Sequence, residues 1–279
     1  MSGNALPGCG TIHKDEVNAT LTKLADDLEF PFDLNNYLLG STGKKEYSGD
    51  IDVVLDKKWY NGGAKSLRRD LIEILGEENV NLNGALVHIK YPIVGYNAAK
   101  DKRQPRTGFV QVDFNFGDYQ LLKMFNWAPG DESKFKGFHR NIALSSVAGI
   151  VDTITFEGRD DQDRPIEQIR WKWSPKGLLR IKRISKKKGN KGTWNKTQTD
   201  IDLKNVITDQ KEIAKILLHG TVDDMNSLES IIAAVNRNFT DHMKEAIFER
   251  MAKNFSEKED ENQCTYPPEI AKYFRIGDK

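Results

Sequence analysis

The chain has 279 residues, with 42 lysines and arginines against 41 aspartates and glutamates, and a formal net charge of +1. Hydrophobic residues make up 38% of it and charged residues 30%, which excludes collagen-like, low-complexity and wholly disordered chains. No apolar run approaches the roughly 20 residues that cross a bilayer, and residues 1–10 lack a secretory signal pattern. Cys9 and Cys264 are too few and too distant for a disulfide framework, so we expect a cytoplasmic protein. Because no membrane-spanning run is present, we also expect no membrane partner.

The first half of the chain combines helix and strand patterns. Apolar positions spaced three and four residues apart predict helices, which we place at residues 14–28, 63–76, 118–126 and 138–150. Alternating or continuous apolar runs predict strands, which we place at residues 36–39, 50–55, 85–94 and 108–116. The polar connector between the last two strands favours an antiparallel hairpin with a long loop.

The pattern changes after residue 150. Strands are predicted at residues 151–156, 168–173 and 178–185, with a hairpin tip at 187–192 and helical patterns over 202–218 and 226–255. The sequence therefore predicts an α/β (α+β) fold. We expect a catalytic domain over residues 1–150, built on a small mixed β-sheet with flanking helices. A substrate-binding domain over residues 151–279 would combine a basic β-hairpin region with a helical C-terminal part.

Acidic side chains stand on two of the predicted strands. Residues i and i+2 of a strand point to the same side, so Asp50 and Asp52 aim two carboxylates at one point. Asp113 lies on the polar face of the later strand. Adjacent carboxylates repel each other unless a cation lies between them, and hard oxygen ligands suit Mg²⁺. A third carboxylate allows two metal ions, with Mn²⁺ as a possible substitute for Mg²⁺.

A glycine-serine pair, Gly40 and Ser41, directly follows the first short strand. Glycine lets the backbone approach a phosphate closely, and the serine hydroxyl can bond phosphate oxygens together with nearby N–H groups. Lys44 or Lys45 can add a contact to a triphosphate. A P-loop is excluded, because the glycine spacing is too short and Glu46 stands where a P-loop has serine or threonine.

Together these motifs resemble the signature of the DNA polymerase β-like nucleotidyltransferase superfamily. The matching residues are Leu39-Gly40-Ser41, then after eight residues Asp50-Ile51-Asp52-Val53, and Val112-Asp113-Phe114 on a later strand. The resemblance covers residues 14–116. It implies that Asp50 and Asp52 hold two metal ions and that Asp113 holds the one that activates the acceptor hydroxyl. It also implies that Gly40 and Ser41 hold the β- and γ-phosphates of a nucleoside triphosphate, whose nucleoside monophosphate is transferred to a hydroxyl.

A basic segment suggests the acceptor. From Arg170 to Lys196 the sequence has eleven lysines or arginines and no acidic residue. Basic side chains neutralise phosphates, and the tryptophans at 171, 173 and 194 can stack unpaired bases, so we favour an RNA 3′ end as acceptor. The residues expected to contact it are Arg170, Lys172, Arg180, Lys182, Arg183, Lys186, Lys187 and Lys188. The alternative interpretation is a solvated hairpin with its tryptophans in the core.

Several alternatives stay open at this point. The acceptor can instead be a protein, a small molecule or a second nucleotide, or the chain can be a non-catalytic nucleic-acid-binding or assembly protein with the same fold. Arg103 and Arg106 either approach phosphates or belong to a surface loop. His139 either faces a substrate or is an ordinary histidine, and the acidic group at 160–163 either binds a metal or forms a solvated loop.

Overall fold

The structure is a computed structural model that describes residues 5–56, 60, 62–84, 86–98, 106–130, 133, 135–157, 167–188, 195–260 and 267. It confirms the predicted α+β class. The chain forms two compact units, Met1–Gly137 and Phe138–Lys279. The helix predicted at residues 138–150 therefore groups with the second unit. No helix within the described ranges is both long and apolar enough to span a bilayer.

The first unit is built on one mixed sheet. Strands β1 (Ile12–His13) and β2 (Tyr47–Ser48) pair as a short antiparallel ribbon. The main sheet contains β3 (Ile51–Leu55), β4 (Val80–Asn83), β5 (Leu86–Pro92) and β6 (Phe109–Phe116), in the order β3-β6-β5-β4. Strands β5 and β6 form the predicted antiparallel hairpin, whereas β3 pairs with β6 in parallel. The two candidate acidic strands are thus neighbours.

Helices α1 (Lys14–Asp27) and α2 (Gly63–Leu75) contribute to the core of this unit. Leu21 of α1 and Leu71 of α2 belong to the same buried cluster as Val112 and Phe114 of β6. The predicted alternation of apolar and polar side chains along β6 is therefore confirmed, since its apolar residues join the core and its polar residues lie on the other face. Burial of such a side chain contributes about 1.5–3 kcal/mol.

The strand predicted at residues 36–39 is wrong. Residues Leu34–Tyr37 form a 3-10 helix, because the Asp33 carboxylate accepts a hydrogen bond from the Asn35 backbone N–H at 2.9 Å and starts a helical turn. The chain becomes extended only afterwards, where Leu38 forms a single antiparallel bridge to Val53. Residues 38–39 therefore still run along the edge of β3.

The second unit combines an antiparallel sheet with helices. Its strands are β7 (Ile154–Thr155), β8 (Glu167–Ser174), β9 (Gly177–Lys188) and β10 (Asn195–Ile207), in the order β10-β9-β8-β7. A short helix of the first unit, α3 (Tyr119–Phe125), follows β6 in the chain. The helices of the second unit are α4 (Gly137–Ala148), α5 (Gln210–Leu218), α6 (Leu228–Asn238) and α7 (Asp241–Asp260). The strand predicted at 151–156 is limited to Ile154 and Thr155.

Two helix predictions in the second unit need correction. Residues 202–207 belong to β10, where Val206 pairs with Leu179 and Ile207 with Leu178. Helix α5 begins only after Asp209, whose carboxylate accepts a hydrogen bond from the Glu212 N–H at 2.8 Å. The stretch predicted at 226–255 is two helices with a break after Asn238. The hairpin tip lies mostly outside the described residues.

Candidate functional site

Strand register brings the predicted carboxylates together. In the parallel pairing of β3 with β6, Asp52 lies directly beside Asp113. Asp50 immediately precedes β3, is buried, and interacts electrostatically with Asp52. The structure therefore gathers Asp50, Asp52 and Asp113 from two separate segments on the polar side of the sheet.

The electrostatics of this group centre on Asp52. Burial, followed by the negative charges of Asp50 and Asp113, raises the pKa of Asp52 to about 8. A hydrogen bond from Asn115 lowers it in part. A hard divalent cation would relieve this repulsion, so the donor set fits Mg²⁺ chemically. Among the described residues, however, no three His, Cys, Asp or Glu side chains are arranged to hold a metal ion, and metal binding stays a prediction.

The side chain of Asp113 is oriented by two neighbours on the polar face. His88 Nδ1 lies 2.7 Å from Asp113 Oδ1, and Gln111 Nε2 donates to the same oxygen at 2.8 Å. This hydrogen bond to Asp113 raises the pKa of His88 above its usual range. Gln111 is 2% exposed, and its own carbonyl accepts hydrogen bonds from the backbone N–H groups of Ala5 and Leu6, at 2.8 and 3.3 Å. The N-terminal segment thus fixes which end of the Gln111 amide faces Asp113.

Sequence reasoning missed both partners of Asp113. The signal for Gln111 was its position two residues before Asp113, on the same face of one strand. Nothing in the sequence marked His88, because its proximity depends on the register of the hairpin, in which it pairs with Asp113.

The glycine-serine loop is tied to the acidic strand by backbone and side-chain hydrogen bonds. Gly40 has a φ of +63°, and the Ser41 carbonyl accepts a hydrogen bond from the Lys44 N–H at 3.0 Å, which closes a turn. Thr42 joins this turn to β3, since its hydroxyl accepts from the Asp52 N–H at 3.3 Å. Thr42 is therefore a structural partner of the site that the sequence did not identify.

A cavity of about 260 Å³ lies beside this loop. Its lining residues are Leu38, Leu39, Gly40, Thr42, Gly43, Lys44, Tyr119, Lys123 and Trp127. The Lys44 ammonium lies 3.8 Å from the centre of the Trp127 ring and 2.9 Å from the Ala128 carbonyl oxygen. Of the four predicted phosphate contacts, Gly40 and Lys44 line the cavity, whereas Ser41 and Lys45 do not.

The tryptophans of the predicted nucleic-acid segment belong to the interior of the second unit. Trp171 and Trp173 are 8% and 5% exposed, and Trp173 Nε1 donates to the Asn141 side chain at 3.0 Å. They do not offer open faces to bases, as the alternative interpretation anticipated. Trp194 lies outside the described residues.

Most basic residues of that segment whose side chains the structure describes are engaged within the unit. Arg170 is 7% exposed. The others pair as follows: Lys172 and Arg183 with Asp200, Lys182 with Glu167, and Arg180 with the Asp152 carbonyl. Lys186, Lys187 and Lys188 lie on β9, and their side chains are not described. The segment is thus less positive than its sequence indicates, because Asp200 and Glu167 stand just beyond its ends.

Three further sequence hypotheses have different outcomes. Arg106 is not a phosphate contact, since its side chain is buried and forms an ion pair with Glu16, and Arg103 lies outside the described residues. His139 is half-buried and stacks on Phe255, with 5.9 Å between the ring centres, which favours an ordinary histidine. The acidic group at 160–163 lies outside the described residues.

Comparison with protein-family models and with curated proteins adds no relative. No protein-family model matches the chain, and no curated protein matches it. The assignment of a function therefore depends on the site itself.

Proposed function

We propose that this chain is a Mg²⁺-dependent nucleotidyltransferase that moves a nucleoside monophosphate from a nucleoside triphosphate to a hydroxyl. The observation that carries the proposal is the direct register pairing of Asp52 with Asp113, with Asp50 alongside. Carboxylates from two strand segments, gathered at one polar point, would supply the donor set that divalent-metal phosphoryl chemistry needs.

In this proposal Asp50, Asp52 and Asp113 hold the metal. A bound Mg²⁺ supplies a Lewis acid that lowers the pKa of the acceptor hydroxyl and neutralises charge on the leaving pyrophosphate. The chain's own contribution is positioning. His88 and Gln111 fix one oxygen of Asp113, which leaves the second oxygen for a ligand. Thr42 fixes the backbone that carries Asp52.

The cavity beside Gly40 suits the nucleoside triphosphate. Lys44 and Lys123 provide two cations for phosphate oxygens, and the rings of Trp127 and Tyr119 provide aromatic surface for a base. The backbone of Gly40 carries no side chain between this cavity and Asp52. The triphosphate would therefore lie on the loop, with its reacting phosphate towards the carboxylates.

An RNA 3′ end remains the favoured acceptor, because β9 carries three consecutive lysines, 186–188, and basic side chains neutralise backbone phosphates. A protein, a small molecule or a second nucleotide is the alternative. The burial of Trp171 and Trp173 removes part of the support for RNA, so the acceptor must be found by experiment. A cytoplasmic location stays a prediction.

The test is pyrophosphate release from each of the four NTPs with Mg²⁺ or Mn²⁺, in the presence of total RNA or a panel of other hydroxyl acceptors. We expect metal-dependent turnover that falls at least 100-fold in Asp52→Asn and Asp113→Asn. Asp26→Asn, an exposed change on α1, is the matched control. Full activity of the Asp113 variant would refute the proposal. RNA binding that weakens steeply with salt, without turnover of any NTP, would favour the non-catalytic alternative.

A further inference from the structure

Three arginines from three elements of the second unit lie close together. Arg170 is on β8, Arg183 on β9 and Arg250 on α7, and each interacts electrostatically with the other two. Arg183 is the register partner of Gln168, two residues from Arg170 along β8, so both arginines lie on one face of the sheet. Gly149, just after α4, makes room for the third, because a β-carbon there would lie 2.5 Å from Cζ of Arg250.

The carboxylate that binds this cluster is already engaged. Asp200 accepts hydrogen bonds from Arg183 Nε at 2.8 Å and Nη2 at 3.1 Å, and from Lys172 Nζ at 3.0 Å. Glu257 attracts Arg250 electrostatically, but the two form no ion pair in the described part of the chain. The cluster therefore carries more positive charge than its acidic neighbours balance.

Two of the guanidinium groups have unsatisfied donors. Arg170 is 7% exposed, and the Nε atoms of Arg170 and Arg250 are buried without a hydrogen-bond partner among the described residues. An unsatisfied buried donor costs roughly 1–3 kcal/mol, and more when it is charged. Burial, together with the charges of Arg183 and Arg250, lowers the pKa of Arg170 to about 10. An anion placed here would satisfy the donors and offset the repulsion.

We propose that Arg170, Arg183 and Arg250 form a binding site for a phosphate group. The planar guanidinium forks of Arg170 and Arg250 each match two oxygens of a phosphate. Arg183, whose Nε and Nη2 are bonded to Asp200, contributes its positive charge. The phosphate can belong to a small phosphorylated molecule or to a nucleic-acid backbone, since both present the same anionic oxygens. This site does not depend on nucleotidyl transfer, and it adds Arg250, which lies far from the basic segment in sequence.

The test compares the full-length protein with Arg250→Gln and with Lys253→Gln, a matched control. Lys253 is exposed, lies three residues further along α7 and carries the same charge. One arm titrates inorganic pyrophosphate and follows both calorimetric heat and the rise in melting temperature that a ligand of the folded state produces. The other arm measures fluorescence anisotropy of a labelled single-stranded RNA. We expect saturable binding in at least one arm, weakened at least tenfold by Arg250→Gln and less than twofold by Lys253→Gln.

The outcomes distinguish the two sources of the phosphate group, and they distinguish a wrong proposal from a variant that fails to fold. Saturation by pyrophosphate identifies a small phosphorylated ligand, and saturation by RNA alone identifies a nucleic-acid backbone. Circular dichroism checks that Arg250→Gln is folded; if it is not, Arg250→Lys keeps the charge, loses the two-pronged donor and should weaken binding at least threefold. Absence of saturation in both arms, or equal binding by the Arg250 and Lys253 variants, would overturn the proposal. None of these readouts requires catalytic turnover.

Discussion

A β-carbon added to Gly40 would lie 3.3 Å from Oδ2 of Asp52. This is tighter than ordinary van der Waals contact, so the loop backbone lies directly against the carboxylate. A hydrogen bond of 2.9 Å from the Leu39 N–H to the Asp52 carbonyl holds the two segments in this arrangement. The separation between the loop and the acidic strand is therefore set by backbone geometry rather than by flexible side chains.

The first prediction concerns Gly40→Ala. The positive φ of Gly40, +63°, costs an alanine about 1–2 kcal/mol, and the new methyl group displaces the Asp52 carboxylate. We expect kcat for pyrophosphate release to fall at least tenfold. Gly84→Ala is the matched control, since its φ is +61° and no atom lies within 4 Å of the added carbon. It should lose similar stability in urea unfolding but keep its activity; equal kcat losses would contradict the contact with Asp52.

The second prediction concerns Gln111, a positioning residue. Gln111→Leu removes the donor to Asp113 and leaves the Ala5 and Leu6 N–H groups without their acceptor. Loss of a side chain that orients a metal ligand typically lowers metal affinity or activity 10–100-fold, so we expect kcat to fall by that factor. The Mg²⁺ concentration that gives half-maximal activity (the Mg²⁺ midpoint) should rise, and KM for NTP should change less than threefold. Gln168→Leu, in the second unit, is the control. A changed KM with an unaltered Mg²⁺ midpoint would assign Gln111 to substrate binding instead.

The third prediction tests the buried ion pair in the first unit. The side chains of Arg106 and Glu16 are 1% and 3% exposed, so removal of one charge strands the other in the interior. Arg106→Met should lower the free energy of unfolding by about 3–5 kcal/mol. Adding Glu16→Leu should restore part of that loss, because it removes the stranded carboxylate. Urea denaturation of both variants measures this, and a double variant less stable than Arg106→Met alone would contradict it.

The fourth prediction is a pH dependence in the second unit. Hydrogen bonds from Arg183, and then from Lys172, lower the pKa of Asp200 to about 2. Because this pKa is below the unfolded value, the pair stabilises the fold above about pH 4, and the contribution disappears as the pH falls towards 2. Asp200→Asn should therefore cost about 2 kcal/mol at pH 7 and progressively less below pH 4. Unfolding in urea at pH 7, 4 and 3 tests this, with the exposed Glu245→Gln as control; a constant penalty would rule out the assigned cause.

The sequence predicted the elements whose signal is local. The alternation of Val112, Asp113 and Phe114 defined both faces of β6, and the spacing of apolar residues located α1 and α2. It failed where a cap or a distant pairing decides the structure. Asp33 turns the segment after it into a 3-10 helix. Pairing of Asp202, Val206 and Ile207 with β9 keeps that segment in a strand, with a bulge between Asp202 and Val206, although its pattern suits a helix.

The candidate site was predictable in its acidic members and in Gly40 and Lys44, which line the neighbouring cavity. Asp50, Asp52 and Asp113 stand out because strand periodicity fixes the direction of their side chains. The roles of His88 and Thr42 depend on register and loop closure, which no single-sequence pattern encodes. The basic segment was misleading for a similar reason. Asp200 lies beyond its end in sequence but directly across from Arg183 in the sheet.

The parallel pairing of β3 with β6 also has a consequence for how the protein folds. The β5–β6 hairpin joins neighbouring segments, whereas β3 reaches β6 only after a large loop of chain has closed. Loop-closure entropy delays such non-local contacts. We therefore expect the Asp52–Asp113 neighbourhood to be among the last parts of the first unit to form. Refolding intermediates should contain the β5–β6 hairpin before they gain the proposed nucleotidyltransferase activity.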